Sequence, residues 1–574
     1  MPRGWHVSTE TLYCLMPEMT LTIAATLIFV GGVFVSARGL WSPIAIGAIL
    51  LAGWMLYGQY TRLFWPDSPG PIEAAVDDVA ARRLPAGEQP AEYPNKPVLV
   101  VPTSGSSPIA VDLFSQYVRW LVLVVGLVFA LISARLAPDV QVPEYLGTLL
   151  LALVGMLLVA SARELVLLFL GLELISIPTY VLLYLGRRTV AAREATAKYF
   201  YLSILSSAVM LYGFSFLYGT AGSTQLGDIR AALTVADDAS ATYWFARLAL
   251  VLIFAGLGFK ITAVPFHFYA PDVYQGTTAG NAALLSVLPK LGGLVALVRI
   301  VAVAMPGYEM YSWRIALVLA MLTMTLGNVV ALWQDNVRRL LAYSSIAHGG
   351  YMLIGLAVAF AAASGADAAA GFDGIGAMLF YMTAYALATS GAFAALVYVG
   401  RDDKPIENVD DLAGLGRTHP WTGVSMAIFM FSLAGIPPLA GFWGKLNLFA
   451  GALSVRPTEG GLGGMRACFL AIAVLGVLNA AISAAYYLRI IAVMYFRPAG
   501  ESLRSQGALG AGVAMLASAV LVVAIGLAPD PIQVGATAAS QSARSPSDRP
   551  AVDVARSAKA AADEGPSDAA APAG

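Results

Sequence analysis

A chain of 574 residues that is 58% hydrophobic and only 12% charged lies far from soluble globular proteins, in which about a quarter of residues carry charge. The balance is that of a polytopic membrane protein, and the net charge of −1, with no basic tract, excludes a nucleic-acid partner. Cys14 and Cys468 have no metal-ligand spacing, and the chain has no CxxC ladder, no GxGxxG after a strand and no Walker loop. Neither a metal site nor a redox cofactor site is expected on it.

Apolar runs of spanning length fall near 14–37, 40–60, 114–136, 144–161, 164–186, 194–219, 244–263, 281–304, 313–333, 339–363, 374–400, 421–450, 466–496 and 507–528. The expectation is an all-α fold of about fourteen transmembrane helices. The first run follows Glu10 and Glu18 rather than a basic segment and has no small-residue cleavage site after it, so it reads as a retained helix within 1–60. Residues 61–112, rich in Pro, Gly, Asp and Glu, read as an external loop, with a third helix in 113–143. The last helix is placed at 507–528, and 535–574, with almost no large apolar side chain, reads as a disordered tail. Loops after odd-numbered runs hold Arg187, Arg188, Arg193, Arg338, Arg339, Arg401 and Lys404, whereas the opposite loops hold Asp228, Asp237 and Asp238. The positive-inside rule therefore puts both termini on the outer face.

Runs four to eight (144–304) and nine to thirteen (313–497) form two five-helix units, and an odd unit must be inverted when repeated. The seventh run breaks at Pro265 and the twelfth at Pro437 and Pro438, in each case the fourth helix of its unit and close to a lysine, Lys260 or Lys445. Proline removes a donor and frees a carbonyl one turn back, which membrane depth tolerates only inside protein or beside water. A titratable group next to such a break is the layout of an ion pathway.

Further groups extend it. Glu173 lies mid-helix in apolar sequence and must be protonated or paired; the candidate partner is Lys198 on the next helix, at the front of a stripe formed by Ser203, Ser206 and Ser207. Lys290 sits at the centre of the eighth run, and if it faces Lys260 the two ammonium groups repel, leaving an amine that exchanges its proton rather than holding it. His267 and His348 are equally candidates for a proton relay and for satisfied structural histidines. Tyr381, Thr383, Tyr385, Thr389 and Ser390 carry hydroxyls that more often bond backbone, and Arg299 and Arg489 read as helix-end or headgroup contacts. The expected axis is Glu173, Lys198, Lys260, Lys290, His348 and Lys445.

Three stretches carry a family resemblance: Leu170 to Tyr180 (LGLELISIPTY), Val264-Pro265-Phe266-His267 through Ala270-Pro271-Asp272-Val273-Tyr274-Gln275-Gly276, and Arg338 to His348 (RRLLAYSSIAH). Over roughly 115–530 the chain resembles the antiporter-like subunits of respiratory complex I and the related Mrp cation/proton antiporters, most closely the subunit N type. The resemblance implies a proton-translocating module in which Glu173, Lys198, Lys260, Lys290 and Lys445 match the family's charged residues of helices five, six, seven, eight and twelve. It implies that NAD, FMN, iron–sulfur clusters and quinone belong to partner subunits, and that the partners are the antiporter-like M subunit and the small K, J and A types in a bacterial plasma membrane. Thr277-Thr278-Ala279-Gly280 departs from the Ala-Pro-rich run usual there, and 61–112 and 535–574 are unusually long. The alternatives are an Mrp-type Na⁺/H⁺ antiporter subunit and the membrane arm of a hydrogenase or ferredoxin-driven complex.

Overall fold

The computed structural model describes residues 9–35, 38–64, 108–133, 141–186, 189–235, 241–364, 367–368, 373–400, 406–456, 463–499, 504–505 and 509–544. Most of the proposed loop 61–112, residues 545–574 of the proposed tail, and Arg187, Arg188, Asp237, Asp238, Arg401 and Lys404 lie outside them. In chain order the longer helices are α1 (Met16–Phe34), α2 (Arg38–Phe64), α3 (Leu113–Ile132), α4 (Val142–Ser161), α5 (Leu165–Gly186), α6 (Val190–Ala221), α7 (Ala241–Ile261) and α8 (Ala279–Leu297). There follow α9 (Glu309–Ala331), α10 (Val337–Ala363), α11 (Gly374–Tyr398), α12 (Pro420–Ala434), α13 (Ala440–Ser454), α14 (Gly463–Phe496), α15 (Leu509–Leu527) and α16 (Asp530–Arg544). Among the described residues, 13 helices are long and apolar enough to cross a membrane, and α12 with α13 form one further, broken traverse. The all-α polytopic fold is as the sequence implies.

Burial sorts these helices. The most apolar windows of α8, α10 and α11 are 89%, 89% and 94% buried, against 33% for α1 and α14, so three central helices are wrapped by the rest. Without a hydrophobic force between helices in lipid, close approach depends on small residues. At the α10–α11 crossing a Cβ on Gly374 would lie 2.2 Å from the Gly355 carbonyl oxygen, so only glycine fits. Two short antiparallel pairings, Asp367 with Arg456 and Val399 with Ser505, tie loops on opposite faces.

Two features differ from expectation. Residues 535–544 are helical, as part of α16, because alanine favours helix and its small side chains allow close packing. Ala536, Ala539 and Ala543 are buried against α3 and α11, Ser542 accepts from the Leu113 N–H at 3.1 Å, and Arg544 pairs with Asp373 at 2.8 Å. Arg299 is no headgroup contact. It stands in a π-helical continuation of α8 (Val298–Ala304), buried, with both guanidinium nitrogens on Asp112 at 2.6 and 2.7 Å and a further bond to the Ala160 carbonyl. Asp112 also caps α3, accepting from the Ser115 N–H. Arg489 does hold a helix end, through the Gln334 carbonyl and Asp335.

Candidate functional site

Both helix breaks form where the sequence places them. After Ile261 the chain leaves α7 through Thr262, at φ +63°, and passes Pro265 to a short helix at Ala270–Gly276. The Phe259 carbonyl accepts the Thr262 N–H at 3.0 Å as the helix tightens, and takes the Tyr269 hydroxyl at 3.0 Å as a second donor. Helix α12 ends on Gly435, at φ +91°, whose N–H bonds the Phe431 and Ser432 carbonyls; Ile436-Pro437-Pro438 then separate it from α13. A left-handed glycine followed by proline is a standard helix stop.

At the first break, Lys260 is buried (3% exposed) and its Nζ donates to the Ser176 hydroxyl at 2.7 Å. It lies 3.7 Å from Glu173 Oε1, which also accepts a short hydrogen bond from the Ser207 hydroxyl. The partner expected for Glu173 is therefore wrong. Lys198 lies nine residues before Ser207 on α6, about 13 Å along the helix axis, at the exposed end of the bundle. There it pairs with Asp272 and Glu194, each at 2.8 Å, and Asp272 is shared with Arg339 at 2.6 Å. Lys198 is thus outside the buried row, and what it fastens is the short helix of the first break.

Lys290 is 1% exposed. Its Nζ donates to both the carbonyl and the hydroxyl of Ser345 on α10, at 2.5 Å. Ser345 Oγ continues to the Tyr385 hydroxyl at 2.7 Å, which reaches the Ser286 carbonyl at 3.2 Å. One helical turn on lies His348, 1% exposed, with Nδ1 bonded to the Tyr381 hydroxyl of α11 and Nε2 to the Tyr487 hydroxyl of α14 at 2.9 Å. At the second break Lys445 reaches back from α13 to the Leu433 and Ala434 carbonyls of α12, at 2.9 and 3.0 Å, and sits over the Tyr351 ring at 5.0 Å. A cation on the free carbonyls at a helix C-terminus completes their hydrogen bonding and meets the negative end of the helix dipole. The Tyr351 ring beneath Lys445 also packs edge-on against His348, with 5.9 Å between ring centroids. His267 stays apart from this line, in the linker after Pro265, its buried Nδ1 without a hydrogen-bond partner.

The structure therefore groups Glu173 with Lys260, and Lys290 with His348 and Lys445. Sequence reasoning gave no role to Ser176 and Ser345, though both lie in the quoted stretches, did not reach Tyr487, and discounted Tyr381 and Tyr385. Ser345 lies inside the RRLLAYSSIAH stretch, three residues from His348, and that spacing puts both on one helix face. Tyr487 carries no comparable signal, since only packing brings α14 to His348.

Buried amines and a carboxylate held at helix breaks, at the centre of a bundle of apolar helices, define an antiporter-like membrane protein. Residues 162–470 match the family described as NADH:quinone oxidoreductase/Mrp antiporter, TM. The chain is 40% identical over 402 residues to NADH-quinone oxidoreductase subunit N of Trichlorobacter lovleyi, covering 70% of this chain and 77% of that one. The Methylobacterium nodulans subunit N is 37% identical over 442 residues, covering 77% and 86%. The chain belongs to the family of NADH-quinone oxidoreductase subunit N. Among solved structures it resembles a chain of respiratory complex I from Thermus thermophilus, with 30% identity, a TM-score of 0.67, and coverage of 90% of this chain and 97% of that one. A chain of an archaeal membrane-bound sulfane sulfur reductase, 23% identical with a TM-score of 0.72 over 92% of this chain and 97% of that one, shares the fold.

Proposed function

We propose that this chain is a proton-translocating subunit in the membrane arm of an NADH–quinone oxidoreductase, moving protons along Glu173, Lys260, Lys290, His348 and Lys445. The carrying observation is that three lysines, each under 5% exposed, are held in apolar surroundings by hydroxyls, carbonyls and a single carboxylate. Each ammonium sits beside groups that also satisfy a neutral amine, so it can give up its proton without collapse of its site. Glu173 and Lys260, 3.7 Å apart, act as the switch: closing the pair favours the proton on the lysine, and opening it releases that proton toward Lys290. Lys445, held by helix-end carbonyls and over the Tyr351 ring, is the outlet at the second break.

In this reading 144–304 and 313–497 are inverted five-helix units, Lys198 fastens the segment after Pro265 through Asp272, and His267 serves the fold rather than the proton path. NAD, FMN, iron–sulfur clusters and quinone are carried by partner subunits, with none on this chain. The neighbours are the M-type antiporter-like subunit and the small K, J and A types, in a bacterial plasma membrane with both termini on the outer face.

The test is a native gel of mildly solubilised membranes, probed for this chain and stained for NADH dehydrogenase activity. Comigration with a large NADH-oxidising band is the expected outcome. A small band without that activity, with Na⁺-stimulated transport in vesicles, would replace this reading with an Mrp-type antiporter.

A further inference from the structure

Helix α7 and the linker that follows it are tied to α9 at two levels. In the linker, the Val264 N–H donates to the Thr323 hydroxyl of α9 at 3.0 Å. Near the starts of the two helices, the Tyr243 and Tyr311 hydroxyls stand 3.4 Å apart. Between these levels Leu248 and Val251 of α7 and Val318 and Leu322 of α9 are 44–54% exposed. Spacings of three and four residues put each pair on one face of its helix, so the two ties frame an apolar window open at the surface.

At one end of the window stands an arginine without a counter-charge. Arg247, in the second turn of α7, has its guanidinium carbon 4.1 Å from the centre of the Tyr243 ring, 4.2 Å from that of Tyr311 and 4.8 Å from that of Trp244. One terminal nitrogen donates to the Tyr243 hydroxyl at 2.6 Å, and the buried Nε has no partner. Among the described residues no carboxylate pairs with it. Two acids of this end of the bundle are engaged elsewhere, Asp228 by the Ser223 hydroxyl at 2.6 Å and Glu309 by the Gly307 N–H at 2.7 Å. Arg314, in the second turn of α9, is exposed, lies over the Trp313 ring at 5.4 Å and likewise has no acidic partner among the described residues. It precedes Val318 by four residues and so shares the face that lines the window.

A permanent cation in a membrane-spanning helix calls for an anion. The rings occupy the faces of the Arg247 guanidinium, which leaves its in-plane N–H groups as the free binding edge. That edge fits two oxygens of a phosphate or carboxylate. Tyrosine and tryptophan are the side chains that settle at headgroup depth, and four of them surround the two arginines. An acidic side chain of a neighbouring subunit would answer the charge and leave the apolar window bare. A phospholipid answers both.

We propose that Arg247 and Arg314 form a headgroup site for one anionic phospholipid, with its phosphate on the edge of Arg247 and an acyl chain in the window between α7 and α9. The chain would run from the aromatic tie toward the linker tie at Val264 and Thr323, filling the space that separates α9 from the first broken helix. The site lies apart from the buried row of lysines and does not depend on what that row conducts.

The test uses the assembled complex with the photoreactive residue p-benzoylphenylalanine in place of Leu248, in vesicles of equal parts phosphatidylglycerol and phosphatidylcholine. After irradiation, the peptide that carries position 248 is analysed by mass spectrometry. One arginine beside an anionic headgroup is worth about a fivefold preference for that lipid. Phosphatidylglycerol adducts should therefore exceed phosphatidylcholine adducts by about fivefold or more. Arg247→Gln combined with Arg314→Gln should bring the ratio to one. Arg247→Lys should keep part of the preference, since an ammonium retains the charge but not the two-point edge. If the double variant does not assemble, Arg314→Gln alone, a change on an exposed side chain, should still lower the ratio severalfold. Equal adducts of the two lipids with both arginines in place would mean ordinary boundary lipid and overturn the site. An adduct to a peptide of another subunit would make this face a protein interface, and no lipid adduct at position 248 would show the window to be closed; either result overturns the proposal.

Discussion

The two broken helices solve one problem in different ways. Lys260 belongs to the last turn of the helix that breaks and turns to a neighbouring helix, where Glu173 and Ser176 receive it. Lys445 belongs to the helix after its break and reaches back to the two carbonyls that the break exposes. The first arrangement contains a group that itself takes up a proton, whereas the second contains only fixed dipoles. Charge compensation can therefore change at the first break and not at the second, which suits a switch at one end of the row and an outlet at the other.

The largest expected effect follows from what each lysine leaves behind. Lys260→Met strands the Glu173 carboxylate, 19% exposed, beside an apolar side chain, and removing one member of a buried pair costs up to about 3–5 kcal/mol. Lys445→Met strands two carbonyls at a cost of about 1.5–3 kcal/mol, the scale of hydrogen bonds to a charged group. Thermal stability of the purified complex should fall further for Lys260→Met, and adding Glu173→Gln should restore most of that loss without restoring proton translocation. No rescue by the second change would mean that Glu173 is not held by Lys260.

Glu173→Gln and Glu173→Asp separate charge from shape. Glutamine keeps the length and the Ser207 hydrogen bond but cannot exchange a proton; aspartate keeps the chemistry and shortens the reach. Translocation per NADH should drop on the order of tenfold or more for Gln, as for loss of a proton-transfer group, and by a smaller factor for Asp. Equal translocation in the two variants would leave the pair as a packing clamp, like the Asp112–Arg299 pair.

How much of this was legible in sequence follows from depth. Glu173, Lys260, Lys290 and Lys445 stood out because an ionisable group inside twenty apolar residues has no cheap explanation. Lys198 misled because α6 runs for 32 residues, longer than a bilayer requires, so a residue near its start lies outside the core. Its partner Asp272 belongs to the segment after Pro265, whose path no periodicity predicts. Arg299 finds Asp112 at a separation of 187 residues, and α16 builds its contacts from alanine and serine, which a search for large apolar side chains cannot register. Tyr487 joined the site only through the packing of α14.

A smaller effect tests the second break alone. Gly435 is left-handed, and a Cβ there would stand 2.9 Å from Lys445 Cδ. Gly435→Ala should cost roughly 1–2 kcal/mol of backbone strain and push the Lys445 stem off its carbonyls. Translocation should fall while the Glu173–Lys260 end is unaffected, as a carboxyl infrared band of Glu173 would report. A changed Glu173 band would show that the two ends are mechanically coupled.

The smallest effect belongs to the first break, where the left-handed position is held by Thr262, a β-branched residue for which positive φ is strained. Its hydroxyl donates to the Ile261 carbonyl next to it, giving that oxygen a partner as the helix ends. Thr262→Gly relieves about 1–2 kcal/mol of strain, but it forfeits that hydrogen bond, about 1 kcal/mol, and adds a backbone entropy cost of about 0.5–1 kcal/mol. The terms nearly cancel, so stability should change by less than about 1 kcal/mol. Thr262→Val keeps the strain and loses the bond, so it should be the more destabilising of the two by denaturation of the complex. The opposite order would mean that the threonine methyl, packed at 2% exposure, holds the break, and that the first break, unlike the second, is fixed by packing rather than by its backbone turn.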